Sequence, residues 1–129
     1  MMTKIEYNYL SGQILDACIE VHKQLGPGLL ESAYQYALIV EFQLRNIKVV
    51  PKVAVPLFYK TIDTGKVYEI DILVENEIIL ELKAVEILHP VFEAQLISYL
   101  KLADKRLGFL INFHVPLMKD GFKRFVNNF

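Results

Sequence analysis

The sequence predicts an α/β fold with a helical hairpin at its N-terminus, a central mixed β-sheet of about four or five strands, and a further helix flanking that sheet. Three observations support this fold class. Apolar residues recur every three or four positions up to about residue 45, β-branched residues alternate with others from residue 48 to 84, and the apolar run Leu107–Phe113 is typical of a buried strand. A length of 129 residues with 53% hydrophobic side chains predicts one folded domain over residues 1–129.

The helices are predicted from amphipathic segments and the residues that end them. The first helix runs from about residue 4 to 25 and ends at Gly26-Pro27-Gly28, where glycine supplies positive φ and proline interrupts helical hydrogen bonding. The second runs from Leu30 to about Arg45, with Asn46 as its terminator. A third helix is expected to begin at Pro90, with four residues directed inward: Phe92, Leu96, Ile97 and Leu100.

The strands are predicted from the alternating β-branched residues. Pro51 and Pro56 indicate that the first strand lies at an edge of the sheet or contains a bulge. Its turn is expected at Asp63-Thr64-Gly65, which has typical turn composition. Two further strands then form a hairpin: residues 67–74 and 78–84, joined by Glu75-Asn76-Glu77.

Composition and charge exclude several classes of protein. No apolar run approaches the roughly 18–20 residues that cross a bilayer, and no secretory signal peptide is expected. Cys18 is the only cysteine, which excludes an internal disulfide or a zinc ribbon and predicts a cytoplasmic location. Residues 61–100 carry eight acidic and two basic side chains, whereas residues 101–129 carry six basic and two acidic ones. An acidic cluster beside basic flanks suits a cation-dependent site that acts on phosphates.

The register of the predicted hairpin gathers charged side chains on one face of the sheet. With a three-residue loop, Asp71 lies opposite Glu81, and Glu69 lies opposite Lys83. A two-residue loop would mix apolar and charged residues on both faces, so the hydrophobic pattern favours three. The opposite face is then wholly apolar: Ile70, Ile72, Val74, Ile78, Leu80, Leu82 and Ala84.

Two interpretations of the charged face are open at this point. In the first, it is the solvent-exposed face of an antiparallel sheet, stabilised by cross-strand Glu–Lys pairs. In the second, helices cover the sheet, and Asp71 and Glu81 need a cation because burying unpaired charge is costly. Magnesium prefers hard oxygen ligands of this kind. Lys83 on the same face could orient a metal-bound water or stabilise transition-state charge.

Three motifs give the chain a resemblance to a known nuclease superfamily. Asp71, followed ten residues later by Glu81-Leu82-Lys83, resembles the signature of the PD-(D/E)XK, or restriction-endonuclease-like, superfamily, with Ile70 at the position of its proline. Residues 28–34, Gly-Leu-Leu-Glu-Ser-Ala-Tyr, resemble the motif that names the GxxExxY family. Gln95-Leu96-Ile97-Ser98-Tyr99 resembles the QxxxY element of the RecB-like branch.

This resemblance implies a restriction-endonuclease-like core that hydrolyses phosphodiester bonds in nucleic acid, with DNA favoured over RNA and no membrane partner. Mg²⁺, or Mn²⁺ in its place, would be held by Asp71, Glu81, the Leu82 backbone carbonyl and Glu31. Lys83 would position or deprotonate the attacking water. Gln95 and Tyr99 would align the scissile phosphate.

Several nearby residues are instead predicted to have structural roles. Tyr34 is expected to pack in the core with a hydrogen-bonded hydroxyl, and Glu69 to form an ion pair with Lys83. His89 is expected to be an ordinary loop residue, whereas His22 and His114 have no evident partners.

Two other functions fit the same sequence. The high apolar fraction and the net charge of −1 suit a binding or assembly module that keeps the fold without turnover, as a homo-oligomer or with another protein. A hydrolase of small phosphoesters is the third hypothesis.

Overall fold

The computed structural model describes residues 2–129, which form three α-helices and a five-stranded sheet. In chain order the elements are helix α1 (Lys4–Leu25), helix α2 (Glu31–Leu44), strands β1 (Val49–Tyr59), β2 (Ile62–Val74) and β3 (Ile78–Lys83), helix α3 (Pro90–Leu102), strand β4 (Leu107–Asn112), a short 3-10 helix (Met118–Gly121) and strand β5 (Phe122–Val126). The strand order is β1-β2-β3-β4-β5, with β3 and β4 parallel and the other neighbours antiparallel. The predicted α/β fold with a mixed sheet is confirmed.

Apolar cores cover both faces of the sheet. On one face, α1 and α2 form the predicted hairpin and pack against strand residues such as Ile72 and Leu80. On the other face, Leu96 and Leu100 of α3 pack against Ile79 and Leu110. This three-layer arrangement places the α3-facing side chains of β2 and β3 under a helix rather than in solvent.

Local chemistry sets the ends of the N-terminal helices close to their predicted positions. Thr3 caps α1, because its side chain accepts from the Glu6 N–H while the Glu6 carboxylate accepts from the Thr3 N–H. The helix ends at Gly26, whose φ of 74° lies in the left-handed region that glycine adopts without strain. Asn46, with φ of 58°, follows α2 as its predicted terminator.

Helix α3 begins at Pro90 as predicted, and the His89 side chain caps it by accepting from the Val91 N–H. Leu96 is fully buried, but Ile97, expected to face inward, is 36% exposed because it lies on the helix face turned away from the sheet. Within residues 2–129, no helix combines the length and the apolar character that crossing a membrane requires.

The turn between β1 and β2 lies earlier than the sequence predicts. Lys60 and Thr61 reverse the chain, with φ values of 49° and 68°. The predicted turn at residues 63–65 is wrong, since these residues belong to β2. There the φ of 77° at Gly65 accompanies a shift in the β1–β2 register, so the glycine serves a bulge instead of a chain reversal. β1 is an edge strand, as its prolines indicate, and the bulge lies in its partner β2.

The three-residue loop between β2 and β3 is confirmed, but the ladder beyond it is short. The pairs run from Val74–Ile78 to Ile72–Leu80 and stop there, so the predicted backbone pairing of residues 71 and 81 does not form. Beyond that point β2 pairs with β1 alone. Ile70, predicted to share the face of Ile72, packs instead in the core beneath α3, because a two-stranded ribbon twists strongly.

Candidate functional site

Asp71 and Glu81 connect the separating ends of β2 and β3 through side-chain hydrogen bonds. The Leu82 N–H donates to Asp71 Oδ2 at 2.8 Å, and the Asp71 N–H donates to Glu81 Oε1 at 3.2 Å. These bonds take the place of the backbone ladder, which ends one pair earlier. The two acids therefore meet as predicted, although each carboxylate is held by the backbone of the opposite strand.

The carboxylate pair is largely removed from solvent. Only 7% of Glu81 is exposed. Burial and the neighbouring charge of Asp71 raise the pKa of Glu81 to about 9. Burial also raises the pKa of Asp71, against the opposing effect of the hydrogen bond from the Leu82 N–H. The interpretation as a solvent-exposed face is therefore wrong at these positions, and the pair needs a shared proton or a cation.

Helix α2 brings two side chains to the pair. Glu31 is the first residue of this helix. Burial raises the pKa of its carboxyl group; the Lys83 charge opposes this rise, and the Asp71 charge adds to it. Gln35, one turn later on the same helix face, donates from Nε2 to the backbone carbonyl of Asp71 at 3.0 Å. Gln35 is a site residue that sequence reasoning did not identify, although its four-residue spacing from Glu31 was a usable signal.

Lys83 reaches the site from the end of β3 and rests on an aromatic ring. Its Nζ lies 4.2 Å from the ring centroid of Phe92 in α3, a cation–π contact. The predicted ion pair with Glu69 is wrong: no ion pair joins these two residues in the part of the chain described, because β2 has left β3 by residue 69 and pairs with β1. The Lys83 charge opposes the rise in pKa at all three site carboxylates, those of Glu31, Asp71 and Glu81.

Helix α3 places Tyr99 near the pair and Gln95 in a neighbouring groove. Burial raises the pKa of the Tyr99 hydroxyl, and the charges of Glu81 and Asp71 add to this shift. The Tyr99 ring lies 5.7 Å from the ring of Tyr68 in β2, measured between centroids. Gln95 is exposed and lies one turn before Tyr99 in the helix. Together with the two tyrosines, it lines a groove of about 500 Å³. Tyr99 therefore lies within electrostatic reach of the carboxylates, and Gln95 lies in the adjoining groove.

The donor set suits a hard divalent cation. Asp71 and Glu81 supply the carboxylate oxygens that Mg²⁺ and Mn²⁺ prefer, and positive charge would relieve the repulsion from Asp71 that contributes to the raised pKa of Glu81. Within residues 2–129, no three His, Cys, Asp or Glu side chains are grouped closely enough to hold a metal ion. Glu31 is thus near the pair without forming a three-carboxylate cage. Such a site matches magnesium, which usually keeps waters and takes ligands from substrate phosphates.

The segment of residues 28–34 shapes the turn that leads into the site. Tyr34 is fully buried, and its hydroxyl donates to the Gly26 carbonyl at 2.5 Å while accepting from the Leu29 N–H at 3.0 Å. Its ring stacks on Phe113 with centroids 4.4 Å apart. The predicted packing role of Tyr34 is confirmed, and the same contacts hold the turn that places Glu31 at the start of α2.

His22 and His114 also hold this turn. His22 Nε2 lies 2.7 Å from the Val115 carbonyl oxygen, and His114 Nδ1 lies 3.0 Å from that of Pro27. The expectation that these histidines lack partners is wrong, because both connect the α1–α2 region to the segment after β4.

Helices on both faces of a mixed sheet, with an acidic residue on one strand and Glu-x-Lys on the next, define a restriction-endonuclease-like protein. A sequence model of the PD-(D/E)XK nuclease superfamily matches residues 8–125. The chain therefore belongs to this superfamily, whose members generally use divalent metal ions. Neither a curated protein nor a solved structure gives a significant match to the chain.

Proposed function

We propose that this chain is a metal-dependent nuclease that hydrolyses phosphodiester bonds in nucleic acid, with DNA as the first substrate to test. The observation that carries the proposal is the buried Asp71–Glu81 pair with the Lys83 charge acting on both carboxylates. Residues 28–34 and Gln95–Tyr99 support a finer assignment to the GxxExxY family and the RecB-like branch. We treat residues 1–129 as one nuclease-like domain, and the single buried Cys18 fits a cytoplasmic location.

The metal would be bound where the two strands separate. Asp71, Glu81 and the Leu82 carbonyl would hold Mg²⁺, or Mn²⁺ in its place, and Glu31 would complete the site directly or through water. When bound, the ion supplies Lewis-acid stabilisation of the phosphate as negative charge develops on it. Asp71 and Glu81 must be ionised to act as ligands, so their raised pKa values make metal affinity increase with pH.

The remaining site residues act on the water and the phosphate. Lys83, held over the Phe92 ring, orients the attacking water and stabilises the added negative charge of the transition state. The water oxygen loses a proton to solvent as it attacks phosphorus, the bond to one bridging oxygen breaks, and the departing oxygen takes up a proton from solvent, which leaves one product with a phosphate and the other with a hydroxyl. Gln95 and Tyr99 contact the phosphate from α3 and align it for this displacement.

Cleavage of a fluorescently labelled oligonucleotide in Mg²⁺ or Mn²⁺ tests the proposal. We expect Asp71→Asn and Lys83→Ala each to lower the cleavage rate by at least about 100-fold, since the first removes a ligand of the catalytic metal and the second removes a positive charge that stabilises the transition state. Asp63→Asn is the matched control, because Asp63 is an exposed acid of β2 outside the site and its loss should leave the rate unchanged. Activity that survives in both site variants would refute the assignment.

A non-catalytic assembly module is the second candidate, and one surface favours it. Tyr36, Val40 and Leu44 form an apolar stripe along α2, spaced four residues apart and 53–75% exposed. Such a stripe is typical of a helix face that meets another protein. A dimeric mass by light scattering, together with no Mn²⁺ binding by calorimetry, would favour this function over catalysis.

A further inference from the structure

We propose that the groove beside the carboxylate pair binds single-stranded nucleic acid by stacking an unpaired base on Tyr68. The inference deepens the proposed function, since it takes the phosphate to lie at Asp71 and Glu81, and it names the substrate class as single strands or unpaired ends. The occupant would be one nucleotide next to the scissile bond.

The shape of the groove supports a planar ligand. Its volume of about 500 Å³ falls within the ~300–1,000 Å³ typical of sites for small organic molecules. Tyr68 and Tyr99 both line it, with rings tilted by 43° rather than stacked on each other. Because the rings do not cover one another face to face, a base in the groove can stack on Tyr68. Gln95 and Ser98 line the same groove and offer hydrogen bonds to a base edge or phosphate.

The position of the groove ties it to the proposed reaction. Tyr99 is part of its wall, and the charges of Asp71 and Glu81 act on the Tyr99 hydroxyl. Tyr68 lies three residues before Asp71 in β2. A base stacked on Tyr68 would therefore leave its own phosphate close to the carboxylate pair.

Basic residues at and near the groove suit the phosphate backbone of a nucleic acid. Lys101 lines the groove, and Lys66 lies two residues before Tyr68 in β2. From Lys48 to Tyr68 the sequence carries four lysines and one acidic residue, Asp63. Aromatic rings interleaved with basic side chains are the pattern by which proteins bind single strands without strong sequence preference.

Duplex nucleic acid does not fit this mode of binding. In a duplex the bases are stacked on each other and paired, so their faces cannot reach a side chain without being flipped out. A tyrosine in a groove therefore favours strands whose bases are already free.

Fluorescence anisotropy with labelled oligothymidine of about 12 nucleotides tests the inference, in EDTA so that binding is measured without cleavage. We expect Tyr68→Ala to weaken binding about ten-fold, while Tyr68→Phe binds as the wild type does, because stacking uses the ring and not the hydroxyl. Tyr68→Leu keeps an apolar side chain and should weaken binding as Tyr68→Ala does. Tyr9→Ala is the control, since Tyr9 is an exposed tyrosine of α1 on the other side of the sheet.

An abasic oligonucleotide of the same length isolates the stacking contact. Removal of the bases should weaken binding to the wild type about as much as Tyr68→Ala does, and should have little further effect on that variant. Equal binding of the wild type and Tyr68→Ala would overturn the inference, as would tighter binding of a duplex of the same sequence. Self-association that oligothymidine does not compete with, combined with no oligonucleotide binding, would assign the groove to a second copy of the chain instead.

This experiment separates the inference from the proposed nuclease activity. Tyr68-dependent binding without any cleavage in Mg²⁺ or Mn²⁺ would refute the nuclease and keep the single-strand site. Cleavage whose KM is unchanged by Tyr68→Ala would keep the nuclease and refute the site.

Discussion

At Glu81, the free energy of folding is coupled to the ionisation of one carboxyl group. Burial and the Asp71 charge raise its pKa from the ordinary value of 4.5 to about 9 in the folded chain. A raised pKa in the folded state means that folding favours the protonated form. The stabilisation is therefore fully present below the ordinary pKa and is lost as the pH rises through the folded value.

Glu81→Gln should accordingly stabilise the metal-free protein at alkaline pH. Glutamine keeps the size and hydrogen-bonding capacity of the protonated acid but never ionises. We expect a gain above about 1.4 kcal/mol, the equivalent of one pKa unit, that is absent in acid and grows as the pH rises to about 9. Urea denaturation over a pH series measures it.

Glu86→Gln is the matched control for this prediction. It makes the same chemical change five residues later at an exposed position. Its stability should follow the wild type at every pH. Parallel pH curves for the wild type and Glu81→Gln would contradict the coupling.

Among the elements, the α1–α2 turn depends on the hydroxyl of Tyr34. Tyr34→Phe keeps the ring and its stacking on Phe113 but removes the partner of the Gly26 carbonyl and the Leu29 N–H. We expect a loss of about 1–3 kcal/mol in the free energy of unfolding, because these part-buried backbone groups lose their hydrogen bonds. The midpoint of urea denaturation reports the change.

Tyr36→Phe is the matched control, because it removes a tyrosine hydroxyl from an exposed position of the same helix. Tyr36 lies two residues further along α2, and its side chain is 64% exposed. Removing its hydroxyl should change stability by less than about 0.5 kcal/mol, as for most surface substitutions. If the two variants lose the same stability, the Tyr34 hydrogen bonds do not hold the turn.

The β1–β2 turn shows where local patterns mislead at the scale of an element. Asp63-Thr64-Gly65 has the composition of a turn, yet the chain reverses at Lys60-Thr61, where two residues other than glycine take positive φ. Amino-acid composition reports only the intrinsic preference of each residue for a turn. The position at which the chain reverses depends on which residues of the two strands can pair on either side of the turn. Gly65 is still used for its positive φ, but in a bulge.

For the whole molecule, metal binding should be coupled to thermal stability. The two carboxylates repel each other in the folded chain and are apart in the unfolded chain, so an ion that bridges them binds the folded state alone. At about 100 times its Kd, Mn²⁺ should add about 2.7 kcal/mol, which raises Tm by about 10 °C for a domain of this size. Thermal unfolding at about pH 8, with and without Mn²⁺, measures this shift.

Asp71→Asn should lose this shift, and Asp63→Asn should keep it. The shift should also shrink at about pH 5, because the raised pKa of Glu81 keeps a proton on that ligand there. An equal shift in Asp71→Asn would place the ion elsewhere on the protein.

Three features could be predicted from local sequence alone: the three helices, the loop at residues 75–77 and the meeting of Asp71 with Glu81. They depend on periodicity and spacing within short segments. The contacts that hold the site, in contrast, join segments that are far apart in the sequence. Gln35 reaches the backbone of Asp71, and Lys83 rests on Phe92 instead of pairing with Glu69. Those contacts follow from the twist that separates β2 from β3 and from the packing of α2 and α3 on opposite faces of the sheet, which no local pattern encodes.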